Sequence, residues 1–166
     1  GRRRVSGVIG DADARLAVVG DSPGAEEDRP GRPLWGKGGK LHDRQIEEDR
    51  GLTRDRCYIA NVFTFRPPEN RDPRPKEIAA CRPYLEAQVD LIGAKVVVTL
   101  GRFAAQVLLG TSDGIMKLRG RSYPFRGGVL VPTLHPAAAL RGCGEPLAQM
   151  LADFVRAKRA LSEAFA

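Results

Sequence analysis

The stretch that decides the fold reads Leu16-Ala17-Val18-Val19-Gly20-Asp21-Ser22-Pro23-Gly24. Its first four residues form a short, apolar and partly β-branched run, which predicts a buried strand. The strand leads directly into a turn of glycine and proline that carries one carboxylate, Asp21. Open α/β sheets bind ligands beyond the carboxyl ends of their strands. The stretch therefore predicts an α/β fold and a candidate ligand turn, although an ordinary strand-to-helix turn explains the same residues.

Strand and helix patterns alternate through the rest of the chain. The predicted elements are residues 57–63 (strand), 75–91 (helix), 95–100 (strand), 102–109 (helix), 123–131 (hairpin) and 147–164 (helix). Pro83 should kink or split the first helix. The apolar side of the last helix is predicted at Leu147, Leu151, Phe154, Val155 and Leu161. This alternation predicts a three-layer α/β/α domain around a central, mainly parallel four-stranded sheet.

Length and composition favour one folded domain. The chain has 166 residues, of which 42% are hydrophobic, so we expect a flexible segment at 1–14 and a single domain at 15–166. The apolar stretches are too short to span a bilayer, and we expect no signal peptide. Cys57, Cys81 and Cys143 lie far apart in sequence, which argues against a disulfide framework or a Cys-x-x-Cys metal site. We therefore expect a reducing, cytoplasmic compartment, no metal and a monomer.

The net charge of +7 indicates a polyanionic partner. Nucleic acid is the first candidate and an anionic membrane surface the second, while a merely solvated basic surface carries comparable weight. Basic residues cluster with glycine and proline in the segments 29–40, 66–76 and 117–126. Arginine in such loops suits phosphate binding, because its planar fork can contact two oxygens at once.

Three polar side chains follow predicted strands and should meet in one crevice. Asp21 can hold a water molecule or oppose a developing positive charge. Asn61 has an amide that can both donate and accept, which suits the edge of a nucleobase. His135 could stabilise a leaving anion. Each residue also has a structural alternative, since Asn61 could satisfy a strand end and His135 could be a hydrogen-bonded core histidine.

At this point the chain resembles the family-four uracil-DNA glycosylases. The resemblance spans about residues 15–160 and is carried by VGDSPG at 19–24, GRPLWGKGG at 31–39, NVFTFRPPENR at 61–71, CRPYL at 81–85, VTLGRFAA at 98–105, and PTLHPA at 132–137 with Leu140-Arg141 after it. The resemblance implies hydrolysis of the N-glycosidic bond of deoxyuridine in DNA, which releases uracil, leaves an abasic site and begins base-excision repair.

The resemblance also implies roles for individual residues. Asp21 would position water and balance the sugar cation, and His135 would stabilise the uracil anion. The remaining implied residues are the uracil-binding Asn61, Ser22, Leu34, Trp35 and Phe63, and the DNA-binding Lys37, Arg66, Arg71, Leu140 and Arg141. Leu140 and Arg141 would enter the duplex and fill the space that the flipped base vacates.

Three departures from the family pattern shape these expectations. Family-four enzymes carry an iron–sulfur cluster on four cysteines, but only Cys81 matches a ligand position here and Phe65 occupies another. One thiolate cannot hold such a cluster, so we expect no cofactor. Asp21 is one methylene shorter than the usual glutamate. Leu34 replaces the aromatic residue that stacks on uracil. Either Trp35 or Phe63 takes that role, or stacking is weaker and base selectivity looser, and Trp35 could equally be a core or loop-anchoring residue.

Two other functions compete with a monofunctional glycosylase. A module that binds uracil or abasic sites in DNA without turnover would explain the changes at Asp21 and Leu34. An α/β protein acting on free nucleotides would share the fold, but the basic charge and the Leu140-Arg141 pair argue against it.

Overall fold

One sheet organises the part of the chain that the structure describes. The computed structural model describes residues 15–20, 58–61, 74–141 and 144–164, so the predicted flexible segment 1–14 lies outside it. The elements are β1 (Leu16–Gly20), β2 (Tyr58–Asn61), α1 (Pro75–Ile92), β3 (Val96–Leu100), α2 (Arg102–Leu109), α3 (Ile115–Leu118), β4 (Tyr123–Phe125), β5 (Gly128–Thr133), α4 (Pro136–Arg141) and α5 (Glu145–Ala164).

The sheet has the strand order β2-β1-β3-β5-β4. The first four strands in this order are parallel, and one row of residues crosses them at Ile59, Val18, Val98 and Val131. The predicted, mainly parallel sheet is therefore confirmed. The predicted count of four covers only the parallel strands, because β4, the first arm of the hairpin, adds a fifth strand antiparallel to β5.

Helices cover both faces of the sheet. Strands β1 and β3 are buried along their whole length, as expected for parallel strands between two helical layers. Their side chains alternate between two cores. One core joins Val18, Val98 and Leu100 to Met150 and Phe154 of α5, and the other joins Ala17, Val19 and Val97 to Leu85 of α1 and Val107 of α2. The three-layer α/β/α arrangement is confirmed.

Helix α1 passes through Pro83 without being split. Pro83 has no N–H, so the carbonyl of Ala79 loses its partner within the helix. Both residues are exposed, and water can bond that carbonyl. The predicted split is therefore wrong, because the proline falls on the solvent side of a helix whose other side packs on the sheet. Pro75 begins the helix, and the Glu77 carboxylate accepts the backbone N–H of Arg74 at 2.9 Å.

Strands β4 and β5 form the predicted hairpin. Phe125 pairs with Gly128, which leaves Arg126 and Gly127 as a two-residue turn. Both have positive φ, at 45° and 79°, the combination that matches the twist of the flanking strands. Arg126 also forms an ion pair with Asp90 of α1. The hairpin turn thus lies at the amino end of β5, away from the carboxyl ends of the parallel strands.

The closing helix α5 confirms most of its predicted apolar side. Its buried residues are Met150, Asp153, Phe154, Ala157 and Leu161, and Leu147 packs against the same core. Val155 is 44% exposed, so its predicted burial is wrong. Each residue turns a helix by about 100°, which places Val155 roughly 140° from the middle of the buried stripe, on the side that faces solvent.

We expect Gly128→Ala to destabilise the fold. A Cβ at Gly128 would overlap the carbonyl of Lys95, and the neighbouring Val129 N–H bonds that same oxygen at 2.9 Å. The loss in the free energy of unfolding should be about 2 kcal/mol or more, measured by urea denaturation. Gly114→Ala is the matched control, because a Cβ there meets nothing within 4 Å. Equal stabilities of the two variants would contradict this account of the β3–β5 contact.

Candidate functional site

The carboxyl ends of the four parallel strands form one edge of the sheet. Asn61, the last residue of β2, pairs with Gly20, the last residue of β1. Leu100 of β3 pairs with Thr133, the last residue of β5. Neighbouring strands lie about 4.8 Å apart, so Asn61 and Thr133 are roughly 15 Å apart across this edge. That span suits a crevice the size of a nucleoside rather than direct contact between the outer residues.

The strand order places the opening of this crevice between β1 and β3. The chain leaves β1 toward β2 on one side, whereas it leaves β3 toward β5 on the other. Such a point of divergence is where open α/β sheets bind ligands. Gly20, the last residue of β1, lies at this opening, and Asp21 is the next residue in the sequence.

Many of the predicted site residues lie outside the described residues, and their roles stay predictions. These residues are Asp21, Ser22, Leu34, Trp35, Lys37, Phe63, Arg66 and Arg71. The structure locates three others by their backbone, namely Asn61 at the end of β2 and Leu140 and Arg141 in α4. It describes the side chain of His135 in full, so His135 is the centre of the candidate site.

His135 is held as the N-terminal cap of α4. Its Nδ1 accepts the backbone N–H of Ala137 at 3.1 Å, and its carbonyl accepts the N–H of Ala138 at 2.9 Å. Pro136, the first residue of the helix, has no N–H to satisfy. Because Nδ1 acts as an acceptor, the neutral ring carries its proton on Nε2. The structure therefore presents a half-buried imidazole as an N–H donor at the carboxyl edge.

Helix α4 links this donor to the predicted duplex-entering residues. Leu140 follows His135 by five residues, or about 7.5 Å along a helix axis. His135 caps the start of α4 and Leu140 lies within it, and the helix begins three residues after the end of β5. The imidazole and the Leu140-Arg141 pair are thus connected by a single continuous segment.

A buried carboxylate bonds the last residue of β5 and was missed by sequence reasoning. Asp153 of α5 is 1% exposed. Its two oxygens accept from Arg119 Nε at 2.9 Å and Arg119 Nη2 at 3.0 Å, and Arg156 Nη1 lies 3.3 Å from Oδ1. The Thr133 hydroxyl donates to Oδ2 at 2.8 Å. We call Arg119, Asp153 and Thr133 the carboxylate clamp.

The clamp ties the end of β5 to its surroundings through Thr133. The Thr133 hydroxyl bonds Asp153 of α5, and the Thr133 carbonyl accepts the N–H of Gly101, the residue after β3, at 2.9 Å. A signal in the sequence could have found Asp153. It lies at helical spacing from Met150 and Ala157, so the period places a carboxylate on an otherwise apolar face.

The same edge carries an exposed cation that sequence reasoning also missed. Arg102 begins α2 directly beyond β3, and its guanidinium lies 4.5 Å over the ring of Phe103. Thr99, one residue before the end of β3, is fully buried, and its hydroxyl has no hydrogen-bond partner among the residues that the structure describes. Positive charge and a buried hydroxyl therefore accompany His135 near the crevice.

The described donor set does not fit an iron–sulfur cluster. Cys81 is buried on the sheet-facing side of α1 among Ala17, Leu85 and Val89, and no other cysteine falls within the described ranges. Such a cluster takes four thiolates. Within those ranges no three or more His, Cys, Asp or Glu side chains group together as a metal site would require. The prediction that the protein works without a cofactor stays a prediction.

None of the described helices combines the length and the apolar character that crossing a bilayer requires.

Comparison with known proteins identifies relatives over most of the chain. The family model of the Uracil DNA glycosylase superfamily matches residues 8–160. A type-4 uracil-DNA glycosylase of Sulfurisphaera tokodaii is 44% identical over 135 residues, which cover 76% of this chain and 61% of the relative. A type-4 uracil-DNA glycosylase of Thermotoga maritima is 40% identical over 152 residues, covering 90% and 79%. The chain thus spans less than two thirds of the first relative.

A solved structure shares the fold. The solution NMR structure of a uracil DNA glycosylase candidate from Methanosarcina acetivorans matches with a TM-score of 0.61, covering 95% of this chain and 99% of that chain. The two sequences are 15% identical. This likeness supports the α/β architecture and nothing beyond it.

We expect Arg119→Met to destabilise the protein far more than Lys117→Met. Loss of Arg119, whose side chain is 16% exposed, leaves the buried Asp153 carboxylate without its two-pronged partner and should cost about 3 kcal/mol. The control Lys117 pairs with Asp113 at 3.5 Å but is 75% exposed, so its loss should cost under about 1 kcal/mol. Chemical denaturation measures both. Similar losses would mean that the carboxylate clamp contributes no more than a surface pair.

Proposed function

Because the chain belongs to the uracil DNA glycosylase superfamily, we propose that it hydrolyses the N-glycosidic bond of deoxyuridine in DNA. The products are free uracil and an abasic site, and no phosphodiester bond is cut. The type-4 names of its relatives support this reaction. In this proposal the protein acts as a monomer in base-excision repair, on nucleoid DNA in the cytoplasm.

The observation that carries the proposal is the held imidazole of His135. Breaking the glycosidic bond leaves negative charge on the departing uracil, and a fixed hydrogen-bond donor lowers the energy of that charge. The Ala137 N–H occupies Nδ1 at 3.1 Å, so Nε2–H is the donor. We propose that Nε2–H donates to a uracil oxygen in the transition state.

Asp21 supplies the opposite charge in this proposal. The sugar gains positive charge as the bond breaks, and a carboxylate beside it stabilises that charge and orients the attacking water. This assignment is supported by its position in the chain, because Asp21 directly follows Gly20, the last residue of β1. The target nucleotide must first leave the base stack, because no side chain reaches its sugar carbon inside a duplex.

The remaining residues would bind the base and the DNA. Asn61, at the end of β2, reads the hydrogen-bonding edge of uracil together with Ser22. Its amide can donate to one group and accept from another. The base would stack on an aromatic ring. Position 34 carries leucine, so Trp35 or Phe63 would supply that ring.

The DNA backbone would meet cations on the same edge of the sheet. Lys37, Arg66 and Arg71 are the proposed phosphate contacts, and the exposed Arg102 beyond β3 adds another. Leu140 and Arg141 fill the gap left by the flipped nucleotide. Since α4 also carries His135 at its start, insertion into the duplex and donation to the base are mechanically linked.

The first test is single-turnover release of uracil from a deoxyuridine oligonucleotide by excess protein, with EDTA present because no metal is proposed. Wild-type protein should generate abasic sites. His135→Ala should lower the rate constant by about 10²-fold or more, the effect of removing one fixed donor to a developing anion. Arg126→Ala, at the hairpin turn on the opposite edge, should keep the wild-type rate. Absence of abasic product with the wild type would favour the non-catalytic DNA-binding alternative.

The second test concerns Asp21. Asp21→Asn should lower the single-turnover rate constant by about 10²-fold or more, because the neutral amide neither stabilises the sugar cation nor activates water. Binding of the uracil-containing duplex, measured by fluorescence anisotropy, should stay near the wild-type value. Asp90→Asn is the matched control, since this exposed carboxylate pairs with Arg126 far from the carboxyl edge. Release by Asp21→Asn at the wild-type rate would remove Asp21 from the mechanism.

A further inference from the structure

We propose that Asp153 is a positioning residue for His135, and that it acts through Thr133. The inference rests on the proposed function, because it assigns Asp153 to the reaction that His135 is proposed to assist. Asp153 does not face the crevice itself, and its partners are the side chains of α5, the segment before β4 and the end of β5.

Thr133 is held by two hydrogen bonds to different parts of the fold. Its hydroxyl donates to Asp153 Oδ2 at 2.8 Å, and its carbonyl accepts the Gly101 N–H at 2.9 Å. The side chain therefore ties the end of β5 to α5, while the backbone ties it to the residue after β3. The last residue of β5 is held from two directions at the carboxyl edge.

Only a short stretch of chain joins Thr133 to the imidazole. One residue, Leu134, lies between Thr133 and His135, and both neighbours of His135, Leu134 and Pro136, are buried. Beyond His135, the Ala137 N–H holds Nδ1. The histidine thus stands between two anchors, Thr133 before it and the first turn of α4 after it. A shift at Thr133 would carry the ring with it.

The buried face of α5 carries a charged group, the Asp153 carboxylate, where an apolar side chain would also fit. A buried carboxylate is costly unless donors surround it, and apolar replacements of buried ion pairs are often as stable or more so. Met150 and Phe154 show that this face of α5 accommodates apolar side chains. The planar fork of Arg119 binds both carboxylate oxygens, which fixes the carboxylate plane and aims Oδ2 at Thr133. This orientation is what an apolar residue could not provide.

Thr133→Val tests the proposal without leaving a buried charge unpaired. Asp153 keeps Arg119 in this variant, and valine keeps the branched shape of threonine, so the protein should still fold. We expect the single-turnover rate constant for uracil release to fall by about 10- to 100-fold, since a displacement of about 1 Å can cost that much. The affinity for the uracil-containing duplex should not change. Thr133→Ser, which keeps the hydroxyl, is the matched control and should release uracil at close to the wild-type rate.

A double-mutant cycle separates positioning from general weakening of the fold. In a His135→Ala background, Thr133→Val should have little further effect on uracil release, because the group that Thr133 positions is already absent. If the two losses simply multiply, or if Thr133→Ser is as slow as Thr133→Val, the proposal is overturned.

A measurement that needs no activity keeps this test separate from the proposed function. The chain has two histidines, so nitrogen-15 NMR of the imidazoles is simple, and His42→Gln assigns the His135 signals. Wild-type His135 should show an unprotonated Nδ1 and a protonated Nε2. Thr133→Val should move both signals toward those of a mixture of tautomers, and Thr133→Ser should not. Unchanged signals in Thr133→Val would overturn the positioning role, whereas inactive wild-type protein with the expected shifts would overturn only the glycosylase proposal.

Discussion

A buried carboxylate must be surrounded by donors, and in this protein that requirement joins three separate parts of the chain. Asp153 lies inside the interface between α5 and the sheet and accepts from Arg119, Thr133 and Arg156. Leaving such a charge unpaired would cost several kcal/mol. The helix, the segment before β4 and the end of β5 can therefore adopt few other relative positions. This restriction fixes the position of Thr133 at the carboxyl edge of the sheet.

The two edges of the sheet differ in what they contribute. The amino edge holds the Arg126-Gly127 turn and the close approach of Gly128 to Lys95, both of which concern pairing and stability. The carboxyl edge collects Gly20, Asn61, Leu100 and Thr133 at one level, and the segments with functional potential follow from them. Parallel pairing causes this separation, because it points all four strands the same way.

His135 shows how ordinary helix physics can prepare a chemical group. A helix begins with unsatisfied N–H groups, and here one of them is satisfied by the Nδ1 of the histidine itself. The same hydrogen bond assigns the proton to Nε2 and fixes the ring relative to α4. A structural need of the helix thus selects the tautomer that the proposed donation to a departing anion requires. The role as cap and the proposed role as donor therefore agree.

Much of the fold could be predicted because buried parallel strands consist of continuous runs of apolar residues. The runs at β1 and β3 and the helix 102–109 were predicted closely for that reason. The errors at Pro83 and β4 arise where solvent or a neighbouring strand decides, since Pro83 lies on an exposed face and β4 pairs with β5. Val155 differs, because the helical period itself places it on the side of α5 away from the buried stripe.

For the site, the sequence alone determined the candidate residues Asp21, Asn61 and His135 and their order along the chain, since motifs and strand ends are local properties. Only the tertiary structure decided the partners of Asp153, whereas the tautomer of His135 follows from its hydrogen bond to the nearby Ala137 N–H. Hydrogen-bond geometry and burial depend on groups distant in sequence, such as Arg119 and Asp153, which are brought within 3 Å of each other only when the sheet and α5 are assembled.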